Sequence, residues 1–270
     1  MELVIIGGCP RSGTTLIQNI LDCHTDCYSP PETGLVHAFV NFRTDLSNAS
    51  HRAKRVDVTG DSVINNDIRC LFSEITKRFC QDVSAKYFIE KTPSNAIVMS
   101  DALKLFEGAK GIGIVRHPGA IANSCSRVRE RFKSDGLLPP RRISSVNEVA
   151  LMIVEHFVGL QKAWVGKNER YILLRYEDLC SNPAESVKEI CAFIGIDYQS
   201  EMLLPHLKDH ENHALLSPSN HWYTEQELLR SIDPGRSEAW REEIDAGEYK
   251  KLIPKIATIE PFLAELGYFF

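Results

Sequence analysis

No apolar run in the sequence approaches the roughly 20 residues that a membrane-spanning helix needs, so no span is expected within this chain. Leu3 to Cys9 reads as a strand leading into a loop and not as a signal peptide. Disulfide signatures are also missing: Cys9, Cys23, Cys27, Cys70, Cys80, Cys125, Cys180 and Cys191 are scattered, without a C-x-x-C pair. Reduced thiols, and with them a cytoplasmic location, are the expectation. An excised lumenal domain would share these features, and Asn48-Ala49-Ser50 would be a glycosylation acceptor only in a secretory compartment. Basic residues are outnumbered, 31 Lys and Arg against 36 Asp and Glu, for a net charge of -5. That balance argues against broad nucleic-acid binding, although a local Arg cluster outweighs it at short range. Repeats and low-complexity linkers are absent as well.

What is present fits an ordinary globular protein: 270 residues, 43% apolar, 25% charged. A chain of this length can bury one substantial core, and a single domain over residues 1–270 is expected. Short apolar runs at Leu3–Ile6, Tyr87–Ile89, Gly111–Val115 and Tyr171–Leu174 suit buried strands. Between the first two, Ile64, Ile68, Leu71, Phe72, Ile75 and Phe79 form a stripe at helical spacing, read as core packing. Capping boxes at Ser145/Glu148 and Thr224/Glu227 announce helices, as do Asn182-Pro183 at the start and Gly195 at the end of another. Around Arg131 to Arg142, with Pro139-Pro140, a mobile basic loop is expected. Strands alternating with helices predict an α/β protein with a central parallel sheet flanked by helices, which binds ligands at the carboxyl ends of its strands.

The first strand runs into Gly8-Cys9-Pro10-Arg11-Ser12-Gly13-Thr14-Thr15, and a helix follows from Leu16. Strand, glycine loop and helix are in the order of a phosphate cradle, in which backbone N–H groups and the helix N-terminus face an anion. A G-x4-G loop also occurs as a plain turn. Thr14 stands where a nucleoside-triphosphate-binding loop carries Lys, and the third strand ends in Arg116 where such enzymes place a Mg²⁺-holding Asp. Both features favour a donor handled by cations and N–H groups without a metal.

With Pro10-Arg11-Ser12-Gly13-Thr14-Thr15-Leu16 as a 5'-phosphosulfate loop, and Arg116 with Ser124 eight positions on as a 3'-phosphate site, the sequence resembles the sulfotransferases. These enzymes have a P-loop NTPase-like three-layer fold and use 3'-phosphoadenosine-5'-phosphosulfate (PAPS), releasing 3'-phosphoadenosine 5'-phosphate (PAP). Leu21-Asp22-Cys23-His24, Pro31-Glu32-Thr33, Glu90-Lys91-Thr92-Pro93 and Arg175-Tyr176-Glu177-Asp178-Leu179 follow in the order of the tyrosylprotein sulfotransferase-like branch. The likeness spans Gly7 to Leu179. Where that branch has Arg after its Glu-Thr, this chain has Gly34.

The resemblance implies sulfuryl transfer to an acceptor hydroxyl, on a small molecule, glycan or peptide. Glu32 matches the family's general base, Lys91 a lysine near the transferred group, and Arg11 a cation offsetting charge on the leaving phosphate. Ser12, Gly13, Thr14 and Thr15 would hold the 5'-phosphate, Arg116 and Ser124 the 3'-phosphate, and Tyr176 the adenine or 3'-phosphate. Bland roles stand beside each: a solvated Glu32 near a helix start, an Arg11 bracing its loop, a solvated strand-end Lys91, a Tyr176 packed under the loop. Arg236, in Pro234-Gly235-Arg236-Ser237, resembles a C-terminal phosphate-side loop only loosely. His206, His210 and His213 have metal-ligand spacing on a helix face, but their polar surroundings read as solvated surface. Two other readings compete. One is a P-loop nucleotide kinase or hydrolase with Glu177 or Asp178 on Mg²⁺, and the other an anion-binding module without chemistry.

Overall fold

Strand β1 (Glu2–Gly8) is buried from Val4 to Gly8, as a nearly continuous apolar run requires when both faces of a sheet are covered. The computed structural model describes residues 1–53, 61–81, 83–166, 168–211 and 221–270. The other strands are β2 (Cys27–Tyr28), β3 (Tyr87–Lys91), β4 (Lys110–Val115) and β5 (Tyr171–Arg175). They form one parallel sheet in the order β2-β3-β1-β4-β5. Register sets Ile6 beside Lys91, Gly8 beside Ile114 and Val115 beside Arg175. The loop after Gly8, Lys91, Arg116 and Tyr176 therefore emerge at one carboxyl edge.

Alternation along β1 splits the core. Ile5 faces α2 (Leu35–Ala53), α3 (Asp61–Phe79), α4 (Asn95–Leu105) and α6 (Val146–Val165), where Met99, Leu103, Ile153 and Phe157 are buried with it. Val4 and Ile6 face α1 (Thr14–Asp22), α7 (Tyr176–Ser181) and α8 (Pro183–Ile194), packing with Ile17, Leu21, Leu179 and Ile190. Each such Leu or Ile, taken fully out of water, contributes about 1.5–3 kcal/mol. Helix α5 (Pro118–Ser134) follows β4; its start is fixed by Pro118 at N1 and by the His117 ring accepting from the Gly119 N–H.

The expected strands and the α/β three-layer plan are present. In α3, Ile64, Ile68 and Phe72 are buried and Ile75 packs partly, whereas Leu71 is exposed and Phe79, at the end of the helix, is partly exposed with its ring centroid 6.2 Å from that of Phe88. Ser145 caps α6 through the Glu148 N–H, and Gly195 ends α8 at φ 86°. Asn182 precedes Pro183 as expected but makes no side-chain cap bond. The loop expected from Arg131 is shorter than the composition suggested. Residues through Ser134 continue α5, with Arg131 on its last turn held to the Glu227 carboxylate, and Arg141–Ile143 form a 3-10 turn.

The histidine pattern is corrected too. Ser200–Leu203 and Pro205–Leu207 are 3-10 turns rather than one helix, and His210 is buried. Its Nδ1 meets Asp22 Oδ2 at 2.7 Å and its Nε2 the Pro205 carbonyl at 2.8 Å. Both ring nitrogens face acceptors, so both donate and the ring is imidazolium. Burial works against that charge, but the Asp22 carboxylate and the other acceptors outweigh it and lift the pKa to about 9. His213 lies outside the described residues, and among those residues no metal-ligand cluster forms.

Candidate active site

The loop between β1 and α1 owes its shape to two left-handed residues, Arg11 at φ 73° and Gly13 at φ 101°. Arg11 is the only non-glycine residue with positive φ among those described. At Gly13 a side chain is excluded twice, by its backbone and because a Cβ would sit 2.4 Å from the Tyr176 ring. Ser12 braces the turn: its hydroxyl donates to the Cys9 carbonyl at 2.6 Å and its N–H to the same oxygen at 3.0 Å. Gly13 also occupies the N-cap of α1, with no side-chain cap. The N–H groups of the first turn, at Thr14 and Thr15, thus lack the usual capping acceptor, and the helix presents them and its positive end to an anion.

An open cleft lies in front of this turn, lined among others by Arg11, Thr15, Arg116, Ser124, Tyr176 and Arg236. Arg116 donates through Nη1 to the Arg11 carbonyl at 3.0 Å and through Nη2 to the Arg236 carbonyl at 3.3 Å. Its guanidinium stacks 4.2 Å from the Tyr176 ring centroid, while its Nε is buried with no hydrogen-bond partner. An orphaned guanidinium N–H beside an open cleft fits an anionic ligand. Tyr176 packs under the loop and against Arg116, and burial pushes its phenol up to about 12.

Glu32 and Lys91 do not line the cleft but stand behind Thr15. Lys91 Nζ lies 3.4 Å from Thr15 Oγ1 and forms an ion pair with Glu32 Oε1. The Lys91 side chain is 2% exposed and that of Glu32 35%, so Lys91 is not a solvated strand-end charge; a buried ammonium needs that partner. Glu32 does not cap α2 either: Thr33 Oγ1 accepts from the Leu35 N–H at 3.3 Å instead. Gly34 joins the two segments at φ 64° with open space around it.

Sequence reasoning missed the cover over Arg11. Arg11 Nε donates to Ser124 Oγ at 2.9 Å, Nη1 to the Trp222 carbonyl at 2.7 Å and Nη2 to Glu227 Oε2 at 3.0 Å. Arg131 Nη1 reaches the other Glu227 oxygen at 3.2 Å, and Tyr223 lies over Arg11 with its hydroxyl 3.4 Å from Thr15 Oγ1. The Thr224/Glu227 capping box predicted from sequence does form, at the start of α9 (Glu225–Leu228). Its Glu carboxylate has a second use as counter-ion to two arginines. Burial raises the Glu227 pKa, but Arg11 and Arg131 outweigh it and hold it below the usual carboxylate range.

The magnesium roles considered for Glu177 and Asp178 do not match their positions. Glu177 is turned from the cleft, accepting from the His117 N–H at 2.9 Å and from the Tyr268 hydroxyl, and Asp178 pairs with Arg175 on the surface.

An uncapped helix start, a cleft lined by several arginines and a carboxylate–ammonium pair one threonine away suit transfer of an anionic group to a nucleophile. Comparison with known proteins agrees. A Drosophila melanogaster protein-tyrosine sulfotransferase is 24% identical over 99% of this chain and 52% of its own length. Nodulation protein NoeE of Sinorhizobium fredii is 27% identical over 97% of this chain and 64% of its own length. This chain thus spans about half to two thirds of those relatives. Among solved structures, the sulfotransferase domain of the curacin biosynthetic pathway superposes with a TM-score of 0.65, at 21% identity, over 100% of this chain and 98% of that one. A mouse sulfotransferase complexed with PAP superposes at 0.53, with 14% identity, over 94% and 82%. The sulfotransferase family model matches residues 4–200, which contain the loop, Glu32, Lys91, Arg116 and Ser124, and the chain therefore belongs to the sulfotransferase family and is an enzyme of sulfuryl transfer.

Proposed function

We propose that this enzyme moves a sulfuryl group from PAPS to an acceptor hydroxyl by in-line, metal-independent transfer, with Glu32 as general base. The observation that supports this reading is the contact of Lys91 with both Thr15 of the anion loop and Glu32, so that a carboxylate lies one side chain from that loop. The residues fit PAPS. The uncapped start of α1 suits the 5'-phosphosulfate, and the unpartnered Arg116 Nε with the Ser124 hydroxyl suits the 3'-phosphate. The PAP complex of the mouse structure supports the same ligand. When bound, PAPS supplies an activated sulfuryl group whose bond to the bridging phosphate oxygen breaks as the acceptor oxygen bonds to sulfur, the electron pair leaving with PAP.

In this scheme Glu32 takes the acceptor proton as that bond forms, with Lys91 fixing its carboxylate. Arg11 turns from Glu227 to the oxygen that gains charge. Thr14 and Thr15 hold the 5'-phosphate through N–H and hydroxyl groups, and Ser12 keeps the loop in shape. The acceptor carries a hydroxyl, on a small molecule, glycan or peptide. The protein-tyrosine sulfotransferase names of the relatives favour a peptide, while Gly34 leaves this chain without a cation directly after Glu32-Thr33.

The test is labelled sulfate transfer from PAPS, in excess chelator, into a pool of sugars, phenols, alcohols and tyrosine peptides. Transfer should proceed, and Glu32→Gln should lower turnover by about 10² to 10⁴ with PAP affinity near wild type. Strict dependence on Mg²⁺ would refute the metal-free reading. A Glu32→Gln enzyme within a few-fold of wild type would move the search for the base to His37, on the adjoining helix with its Nδ1 at 3.2 Å from Asn41 Nδ2.

A further inference from the structure

Strand β3 ends in two consecutive charged residues, and neither is in water: Glu90 is 0% exposed and Lys91 3%. Successive side chains of a strand leave opposite faces, yet both hold the same segment. Lys91 pairs with Glu32, and Glu90 Oε1 accepts from the Thr33 hydroxyl at 2.9 Å. The chain around Glu32 thus crosses the end of β3 gripped from both faces.

Glu90 is the hub of a wider set of bonds. Oε1 also accepts from Thr92 Oγ1 at 2.7 Å, and Oε2 accepts from Asn95 Nδ2. Each threonine passes the restraint to the backbone after Glu32: Thr92 Oγ1 accepts from the Gly34 N–H at 3.0 Å, and Thr33 Oγ1 from the Leu35 N–H at 3.3 Å. The segment before Glu32 is tied separately, by Gln18 Nε2 to the Pro30 carbonyl at 2.8 Å and by Ser29 Oγ to the Ile89 carbonyl at 3.3 Å. Burial raises the Glu90 pKa, while the threonines, Asn95 and Lys91 act in the other direction. Burying a carboxylate is costly unless it is hydrogen-bonded; here Oε1 is bonded to the two threonines that fix the path of the chain beyond Glu32, while Oε2 is anchored to Asn95 at the start of α4. It lines no cleft.

We infer that Glu90 is a positioning residue that, through Thr33 and Thr92, sets the place of the Glu32 carboxylate against Lys91 and Thr15. The inference rests on Glu32 being the general base. Displacing a reacting group by about 1 Å can lower turnover roughly 10²-fold, and the gentlest way to loosen this link is at half-buried Thr33.

The experiment follows PAP release from PAPS, to the acceptor pool or to water, alongside calorimetric PAP affinity. Thr33→Val, which removes only the hydroxyl, and Glu90→Gln should each lower kcat by about 10- to 100-fold with KM for PAPS and PAP affinity unchanged. Thr33→Ser, which keeps the hydroxyl, should restore it. In a Glu32→Gln background Thr33→Val should add no further loss, because the group it positions is gone. Normal kcat in Thr33→Val beside a slow Glu32→Gln enzyme would overturn the positioning role and leave the base intact. Normal kcat in Glu32→Gln would overturn the base. A loss from Thr33→Val as large in the Glu32→Gln background as in wild type, or one that Thr33→Ser shares, would make the contact structural. The threonine pair decides the matter even if Glu90→Gln fails to fold.

Discussion

In the proposed scheme Arg11 serves the anionic donor, and Glu227, which now pairs with Arg11, competes for it, so removing the Glu227 charge should tighten donor binding. Its two oxygens lie 3.0 Å from Arg11 and 3.2 Å from Arg131. Taken as bare charges at an effective dielectric near 20, each pair has a ceiling of about 5 kcal/mol. The net cost of leaving is much smaller. Hydrogen bonds to charged groups contribute about 1.5–3 kcal/mol, the cleft beside the pair is open, and Glu227→Gln keeps one acceptor oxygen for an arginine. A gain of about 1–2 kcal/mol remains, which is roughly 5- to 30-fold in Kd. Calorimetry with PAP and PAPS at fixed ionic strength measures it, and the gain should shrink as salt screens the wild-type pair. Because Arg11 and Arg131 depress the Glu227 pKa against the effect of burial, the pair is complete above the ordinary carboxylate range. It is lost only as pH falls through the depressed folded value, so the gain should be flat across neutral pH. Unchanged or weaker binding by Glu227→Gln would refute the competition and make Glu227 a residue that holds Arg11 ready.

Arg116→Ala should weaken PAP by about 10- to 100-fold more than adenosine 5'-phosphosulfate, which lacks the 3'-phosphate. Arg116 also holds the Arg11 carbonyl, so some loss is common to both ligands, and equal losses in calorimetry would mean that it only braces the loop. The raised pKa of His210 predicts stability that is full below pH about 6.5, its unfolded value, and is lost as pH rises through about 9. After allowance for solvent screening the contribution is on the order of 2 kcal/mol. Thermal melts from pH 6 to 10 should show wild type losing more than His210→Gln over that interval, and parallel curves would exclude the charged pair with Asp22.

The sequence by itself determined whatever depends on neighbours along the chain. The apolar run of β1, the stripe of α3 and the helix stops at Gly195 follow from local periodicity and backbone freedom, and they are enough for a parallel sheet. The anion loop is equally local, since Arg11 to Thr15 are consecutive and Gly13 has the one side chain that tolerates its backbone and the Tyr176 ring. The two-residue strand β2 was too short for any periodicity to reveal. Tertiary structure alone decided the pairings across long separations. Glu227 reads as a helix cap until the fold brings it to Arg11, 216 positions away, and His210 reads as solvated until Asp22, 188 positions away, buries and charges it. Lys91 reads as a solvated strand-end charge, yet the segment around Glu32 and Thr33 crosses the end of β3 and gives both Lys91 and Glu90 buried partners. In each case the partner of a charge is chosen by which elements the sheet and its helices bring together, and no local propensity carries that information.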